Sequence, residues 1–248
     1  MSNIPESHPR YLSLKTREKI SKAMKKGLVR ETGLIAHGRG EAFDYLLGEK
    51  TIPFADEAEK VVAAALLCAK NPTISLNGNV VALSGKECVS LSESIPAKLE
   101  VNLFHRTDKR VKNLIKVLKK QGATKVFGAK ANAIIPGLEH NRGICDKDGI
   151  YSADVVLVAL EDGDRCQALR NMKKKVIAID LNPLSRTAKT ANITIVDNVI
   201  RAIPNIERWV RLLKNEDKKN LQKLVDSWDN VKMLKEIYKY LSKRLESL

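Results

Sequence analysis

The sequence predicts an α/β fold: a mostly parallel, doubly wound sheet set between helical N-terminal and C-terminal regions. Three observations lead there. Between about residue 99 and residue 200, strand-like and helix-like segments alternate, as parallel strands joined by crossover helices require. VVLVAL, residues 155–160, is apolar at every position, which suits a central strand covered on both faces. Of 248 residues 44% are apolar but only 4% aromatic, so the core must be built from Val, Ile, Leu and Ala. The chain reads as one domain over 1–248: a helical stretch (1–70), an α/β core (71–200) and C-terminal helices (201–248).

Each element has its own signal. SLKTREKISKAMKKG, residues 13–27, predicts a basic amphipathic helix, capped by Ser13 and stopped by Gly27. Ile20, Ala23 and Met24 form its apolar stripe; Lys15, Lys19, Lys22 and Lys26 line another face. HGRGEAFDYLLGE, residues 37–49, predicts a short helix entered through a Gly-rich turn. ADEAEKVVAAALLCAK, residues 55–70, is a strong helix with acids in its first turn. TISLNGN and VVALSG predict two short strands about an Asn-Gly hairpin turn. LEVNLFH, residues 99–105, predicts a strand. A helix follows, capped by Thr107 or Asp108 and stopped by Gly122, with Val111, Leu114, Ile115 and Leu118 inward. KVFGA is a short strand, followed by a long polar, Gly-rich loop over 128–149. Then come strand ADVVLVAL, helix DRCQALRNMK and strands KVIAIDL and NITIVDN. VIRAIPNIERWVRLLK predicts a helix interrupted by Pro204. In the last segment, Leu221, Leu224, Val225, Trp228 and Val231 make a stripe at helical spacing, for the chain's own core or for a subunit interface.

Composition excludes several classes. There are 44 Lys and Arg against 29 Asp and Glu, a formal charge of +15, which suits anionic partners such as nucleic acid, phosphorylated metabolites or acidic lipid. No basic–aromatic interleaving or nucleic-acid-binding module accompanies the charge. Cys68, Cys88, Cys145 and Cys166 form no C-x-x-C pair, and Cys68 reads as a small core residue. The start MSNIPESHPRYLS has no signal-peptide apolar region, and the longest apolar run, Val61 to Ala69, is far below the ~20 residues of a membrane span. A soluble, cytoplasmic protein is expected. The chain has no G-x-x-x-x-G-K-[ST] loop, no complete G-x-G-x-x-G, no H-E-x-x-H and no G-x-S-x-G. Those absences favour chemistry driven by positioning and charge, as in phosphoryl or adenylyl transfer.

Three segments are candidate ligand edges. AIDLNPLSRTAKTANITIVDNV, residues 178–199, ends two strands in Asp180 with Asn182 and Asp197 with Asn198, with Arg186-Thr187 between. Ligands of open α/β sheets sit beyond such strand ends, where Asp and Asn can hold ribose hydroxyls and base edges. The same residues also end strands and cap helices. HGRGE offers Arg39 between two glycines, as a phosphate fork or as a plain helix start. In the 128–149 loop, Lys130, His140 and Arg142 could hold an anionic substrate, and His140 could shuttle a proton. His105 and Arg106 stand at another strand end, and Asn77 and Asn79 read as turn residues.

SHPRY at 7–11, TREK at 16–19, IAHGRGEAFDYLLGE at 35–49, NGN at 77–79 and IDLNPLSRTAKTANITIVDNVIRAIPNI at 179–206 together resemble the archaeal phosphopantothenate synthetases, the 4-phosphopantoate–β-alanine ligases. The resemblance covers essentially the whole chain. It implies a Rossmann-like homodimer that condenses 4-phosphopantoate with β-alanine, consuming ATP and releasing AMP and diphosphate. The mutual repulsion of these anions calls for Mg²⁺ on the ATP phosphates. It implies ATP contacts at Arg17, Arg39, Asp180, Leu181, Asn182, Arg186, Thr187, Asn198 and Val199. Charge and loop placement, with no help from the resemblance, add Lys130, His140 and Arg142 to Arg39 as the catalytic and acid-binding set. The family reading gives the positive charge to metabolites and leaves nucleic acid and membrane without a role. The rival classes are a basic nucleic-acid-binding module and a regulatory nucleotide-binding protein without turnover.

Overall fold

The computed structural model describes residues 4–247. Six strands form one parallel sheet: β1 (Pro72–Leu76), β2 (Lys98–Val101), β3 (Val126–Phe127), β6 (Val155–Ala159), β7 (Lys175–Ile179) and β8 (Ile193–Ile195). Their order is β3-β2-β1-β6-β7-β8. The chain winds outward from β1 to β3, then returns to lay β6 on the other side of β1. The β1–β6 junction is therefore the topological switch, where a doubly wound sheet opens a crevice. Between β3 and β6 the chain forms a two-stranded antiparallel hairpin, β4 (Ala133–Ile134) and β5 (Ile144–Cys145).

Both sheet faces are buried, and alternation along the strands divides the core. Leu157, Ile177 and Ile195 pack with α3 (Pro53–Cys68), α4 (Gly78–Ser94), α5 (Asp108–Lys120) and α8 (Val199–Leu213). Val156, Val158, Val176 and Ala178 face Cys166 and Leu169 of α6 (Gly163–Asn171) and Cys145 of the hairpin. The doubly wound expectation holds. A third cluster joins Leu47 and Leu181 to Leu234 and Ile237 of α10 (Asn230–Glu246). Before it, α9 (Lys218–Asp226) buries Leu221 and Val225 against the main core, so this part of the C-terminal stripe serves the chain's own fold. Val231 leaves the stripe and is exposed, because a new helix starts after Trp228. The four cysteines are free, with Cys68 half-buried against the core. No helix among the described residues is long and apolar enough to cross a membrane.

Several local expectations are corrected. VVALSG is not a strand: Asn77 caps α4 by accepting from the Val80 amide at 3.0 Å, so Asn-Gly opens a helix instead of closing a hairpin. The helix kinks at Ser84. HGRGE is not a helix entry but lies inside α2 (Glu31–Leu47), which starts six residues earlier than His37. Ser13 does not cap α1 (Tyr11–Lys25); its hydroxyl donates to Glu49 at 2.5 Å. Pro204 does not interrupt α8, whose buried Ala202, Ile203, Ile206 and Val210 hold the helix together across the missing amide. The strand read at 99–105 ends at Val101. Thr107 caps α5 as expected.

The long 128–149 loop owes much of its shape to buried acids. Asp146 accepts from the Gly128 and Ala131 amides at 2.8 and 2.7 Å. Glu100 accepts from the amides of Asp146 and Ile150, and burial pushes its carboxyl up to about 7.

Candidate functional site

The β7–β8 edge is a tightly folded polar loop. Asp180 accepts from the Asn182 amide at 3.0 Å and from the Ser185 hydroxyl at 2.5 Å. Ser185 in turn caps α7 (Arg186–Thr190). Burial raises the Asp180 carboxyl; Ser185, Asn182 and the charge of Arg39 restrain the rise. Arg39 itself is exposed on α2, near enough for its charge to act on Asp180. Thr187 is buried, and its hydroxyl donates to the Glu161 carbonyl at 2.8 Å, tying this loop to the end of β6. Arg186 is 66% exposed and pairs with Asp164. Helix α10 buttresses the loop from below: the Tyr238 hydroxyl donates to the Pro183 carbonyl at 2.9 Å, and Asn230 donates to Ala188 at 3.0 Å.

The β8–α8 junction is anchored by ions. Asp197 accepts from Thr51 at 2.6 Å and pairs with Arg201 at 2.5 Å. Arg201 also pairs with Asp44 of α2, and Asn198 donates to that same carboxylate at 2.8 Å. Asp197 thus does more than end a strand: with Arg201 it locks α8 onto α2. The neighbouring crevice is narrow, about 20 Å³, and brings His37, Gly40 and Glu41 of α2 beside Leu181, Asn198 and Val199. Burial lowers the His37 imidazole, and its Nε2 has no hydrogen-bond partner among the described residues. Arg17 of α1 forks onto Glu41 at 2.9 Å, which places it over the same stretch of α2.

A wider cavity, about 370 Å³, opens at the β1–β6 switch. It is lined by Arg30 and Gly33, by Asn77 to Asn79, by Phe104 and His105, and by Arg110 and Arg142. Leu160 lines both this cavity and the narrow crevice, so the two are neighbours. The sequence reading took Asn77 and Asn79 for turn residues and gave Arg30 and Arg110 no role. The available signal was position: Asn77 follows the central strand directly.

Arg17, Arg39, Asp180, Leu181, Asn182, Asn198 and Val199 therefore converge around α2 and the β7–β8 edge. Arg186 reaches a separate surface groove shared with His140 and Asp164. Arg142 is 5% exposed and held by Glu161, whose carboxyl burial would raise but Arg142 and Arg165 carry below its ordinary value. His140 accepts from the Arg142 amide at 3.3 Å and stacks near Phe104. Lys130 is exposed and lines neither the crevice nor the cavity. Among the described residues no group of three or more His, Cys, Asp or Glu side chains could hold a metal ion.

Residues 54–244 match the phosphopantothenate/pantothenate synthetase family. The chain is 50% identical to the 4-phosphopantoate–β-alanine ligase of Thermococcus kodakarensis, over 100% of this chain and 95% of the relative. It is 50% identical to the ligase of that name from Methanosarcina mazei, over 100% of this chain and 98% of the relative. With the one from Methanospirillum hungatei it shares 56% identity, over 86% of this chain and 87% of the relative.

Proposed function

We propose a function from one premise: the chain belongs to the phosphopantothenate/pantothenate synthetase family. It is a 4-phosphopantoate–β-alanine ligase of coenzyme A biosynthesis, with ATP as its energy source. The observation that carries this reading is likeness without gaps in coverage: 50% identity across 100% of the chain to a ligase of that name.

The chemistry asks for activation first. A carboxylate is a poor electrophile toward an amine. In our reading a carboxylate oxygen of 4-phosphopantoate attacks the α-phosphorus of ATP, the bond to the β-phosphate breaks, and diphosphate leaves. The deprotonated amine of β-alanine then attacks the acyl carbon. The bond from that carbon to AMP breaks, giving 4'-phosphopantothenate and AMP. Triphosphate, phosphomonoester and two carboxylates must meet, so the protein's work is to offset their repulsion and fix their geometry.

We assign ATP to the β7–β8 edge, where Asp180, Asn182 and Asn198 offer polar groups to ribose and base beside the apolar Leu181 and Val199. Thr187 holds the loop in place through Glu161. Arg17 and Arg39 approach from α1 and α2, and Arg186 from the outer side of the loop. Arg39, whose charge acts on Asp180 and which forms no ion pair among the described residues, is in our reading the best placed to meet charge at the reacting phosphorus. Lys130, His140 and Arg142 fit the reacting centre less well in our reading, since Lys130 and His140 do not line the crevice or the cavity and Arg142 is engaged by Glu161. A Mg²⁺ ion finds no cage of side chains among the described residues.

The cytoplasm is the compartment we infer, and anionic metabolites account for the +15 charge. A homodimer is our reading of Leu12, Ile35 and Tyr45, apolar and exposed on α1 and α2. Mixing the protein with ATP, 4-phosphopantoate and β-alanine should release AMP and diphosphate. Release of ADP would replace the adenylate by an acyl phosphate. Tight ATP binding without AMP formation would make the protein a regulator, and steeply salt-dependent DNA or RNA binding would favour the nucleic-acid class.

A further inference from the structure

Where β6 ends, the backbone makes a turn that side-chain-bearing residues rarely adopt. Leu160 lies at φ 54°, in the left-handed region, directly before Glu161. Strain of this kind persists only where surrounding contacts hold it, and it gathers at functional sites. The contacts here converge on Glu161, whose side chain is 1% exposed and meets two guanidinium groups, those of Arg142 and Arg165. Arg165, on α6, is fully buried. Its Nη2 donates to the Ser75 hydroxyl of β1 at 3.2 Å, and its Nε has no hydrogen-bond partner among the described residues. Burial lowers the Arg165 guanidinium, and Glu161 opposes the fall. A buried pair of this kind is a poor stabiliser, since a well-packed apolar side chain of similar volume often does as well or better. Arg165 therefore calls for a reason other than stability.

We propose that Arg165 is a positioning residue for the ligase reaction: through Glu161 it holds the β7–β8 loop and the wall of the β1–β6 cavity in one fixed relation. The inference rests on the ligase reading above and adds a residue to it. At 0% exposure Arg165 is out of reach of any ligand, so it acts through its neighbours. Glu161 reaches both regions. Its carboxylate holds Arg142, which lines the cavity, and its backbone carbonyl accepts from the Thr187 hydroxyl at 2.8 Å in the loop assigned to ATP. Arg165 grips the other carboxylate oxygen and ties Glu161 to β1 through Ser75. The same helix supports the loop at two more points. Arg170 donates to the Thr190 carbonyl at 2.8 Å, and Gly163 lies so close to Arg186 that a Cβ there would collide with its side chain. Adenylation needs a carboxylate oxygen in line with the α-phosphorus, and a misplacement of about 1 Å costs on the order of 100-fold in rate. Without Arg165, Glu161 keeps Arg142 but loses its tie to β1, and the two regions lose their common support.

Arg165→Met removes the tie and leaves Glu161 paired with Arg142, so no buried carboxylate is stranded. The measurement is kcat for AMP formation and KM for each of the three substrates, with the folded fraction read by circular dichroism and denaturant melts. In Arg165→Met kcat should fall about 10–100-fold while each KM stays within about threefold. Arg165→Lys, which restores the charge toward Glu161, should stand between that variant and wild type. A folded Arg165→Met with the kcat of wild type would make the pair merely structural and overturn the proposal. A rise in one KM with kcat unchanged would also overturn it, because a positioning residue acts on the reacting geometry and not on one binding surface. Arg165→Lys no more active than Arg165→Met would trace the loss to packing instead of the grip on Glu161, and would overturn it too. Should Arg165→Met not fold, Ser75→Ala cuts only the tie to β1: a kcat lowered a few-fold at unchanged KM supports the role, and an unchanged kcat overturns it. Wild-type protein that makes no AMP from the three substrates sinks the ligase reading and this role with it. An active wild type with unaltered variants sinks the role alone.

Discussion

The narrow crevice at the β7–β8 edge and the neighbouring cavity at the β1–β6 switch are built on opposite principles. At the β7–β8 edge nearly every polar group already has a partner. Asp180 is held by Ser185 and Asn182, Asp197 by Thr51 and Arg201, and Asn198 by Asp44. At the β1–β6 switch Arg110 forms no ion pair among the described residues and Arg30 meets the exposed Glu31, while the acid that lines the cavity, Asp162, lies 3.3 Å from Arg142. The first region uses its charges to fix its own shape; the second holds Arg110 on two backbone carbonyls and Arg30 beside the exposed Glu31. If the β7–β8 edge holds ATP as proposed, a rigid frame suits it, because contacts from backbone and short polar side chains are directional hydrogen bonds.

The strongest test of the rigid half is Arg201→Met. It leaves Asp44 and Asp197 facing each other without their shared cation, both almost fully buried. Breaking a buried ion network this way should cost about 3–5 kcal/mol of stability, read from chemical denaturation. A loss under about 1 kcal/mol would mean that the network is not what holds α8 to α2.

Next in size is Arg39→Ala. If Arg39 meets charge that develops at the α-phosphorus, kcat should fall roughly 100-fold or more. Arg186→Ala should act differently, since Arg186 is 66% exposed and pairs with the equally open Asp164. Exposed pairs contribute little, so if Arg186 contacts ATP as proposed, its loss should raise KM for ATP about tenfold and change kcat by only a few-fold. Equal effects of the two substitutions on nucleotide binding alone would erase the division between them.

How far the sequence foretold these two regions follows the same divide. The parallel sheet was readable because its strands are apolar at every position and separated by helical periods. The polar β7–β8 edge was readable as a structural feature because Asp180, Asn182, Asp197 and Asn198 are close in sequence to the strands that carry them. The cavity at the β1–β6 switch was not. It joins Arg30, Asn77 and Arg110, which only the meeting of α2, α4 and α5 brings together. Asn77-Gly78 carries a hairpin signal locally; helix α4 wins there because its apolar residues Val80, Val81 and Leu83 bury against the core. HGRG misled for a related reason. Its glycines weaken the helical pattern, yet the residues around it still run as one helix from Glu31 to Leu47.

His37 lies on α2 between the two regions, and it gives the smallest and most local test. Burial holds its imidazole below the ordinary 6.5, with Glu41 and Asp44 pulling upward and Arg17 downward. The unfolded chain therefore takes up this proton before the folded one does. Stability that the neutral ring contributes is present above about pH 6.5 and is lost as pH falls through the lower folded value. With the ring partly solvated, the loss should be about 1 kcal/mol or less. His37→Gln should flatten this part of the stability–pH curve relative to wild type, measured by denaturant melts between about pH 7 and 5. Difference curves isolate His37 from Glu100, which titrates nearby at about 7. ATP should sharpen the contrast: a triphosphate beside the crevice would favour the protonated ring and bring its folded value back toward 6.5, so bound nucleotide should shrink the acid loss in wild type and leave the His37→Gln curve unchanged in shape. The same change of shape in both proteins would put the nucleotide's charge out of reach of His37, and with it the triphosphate out of this stretch of α2.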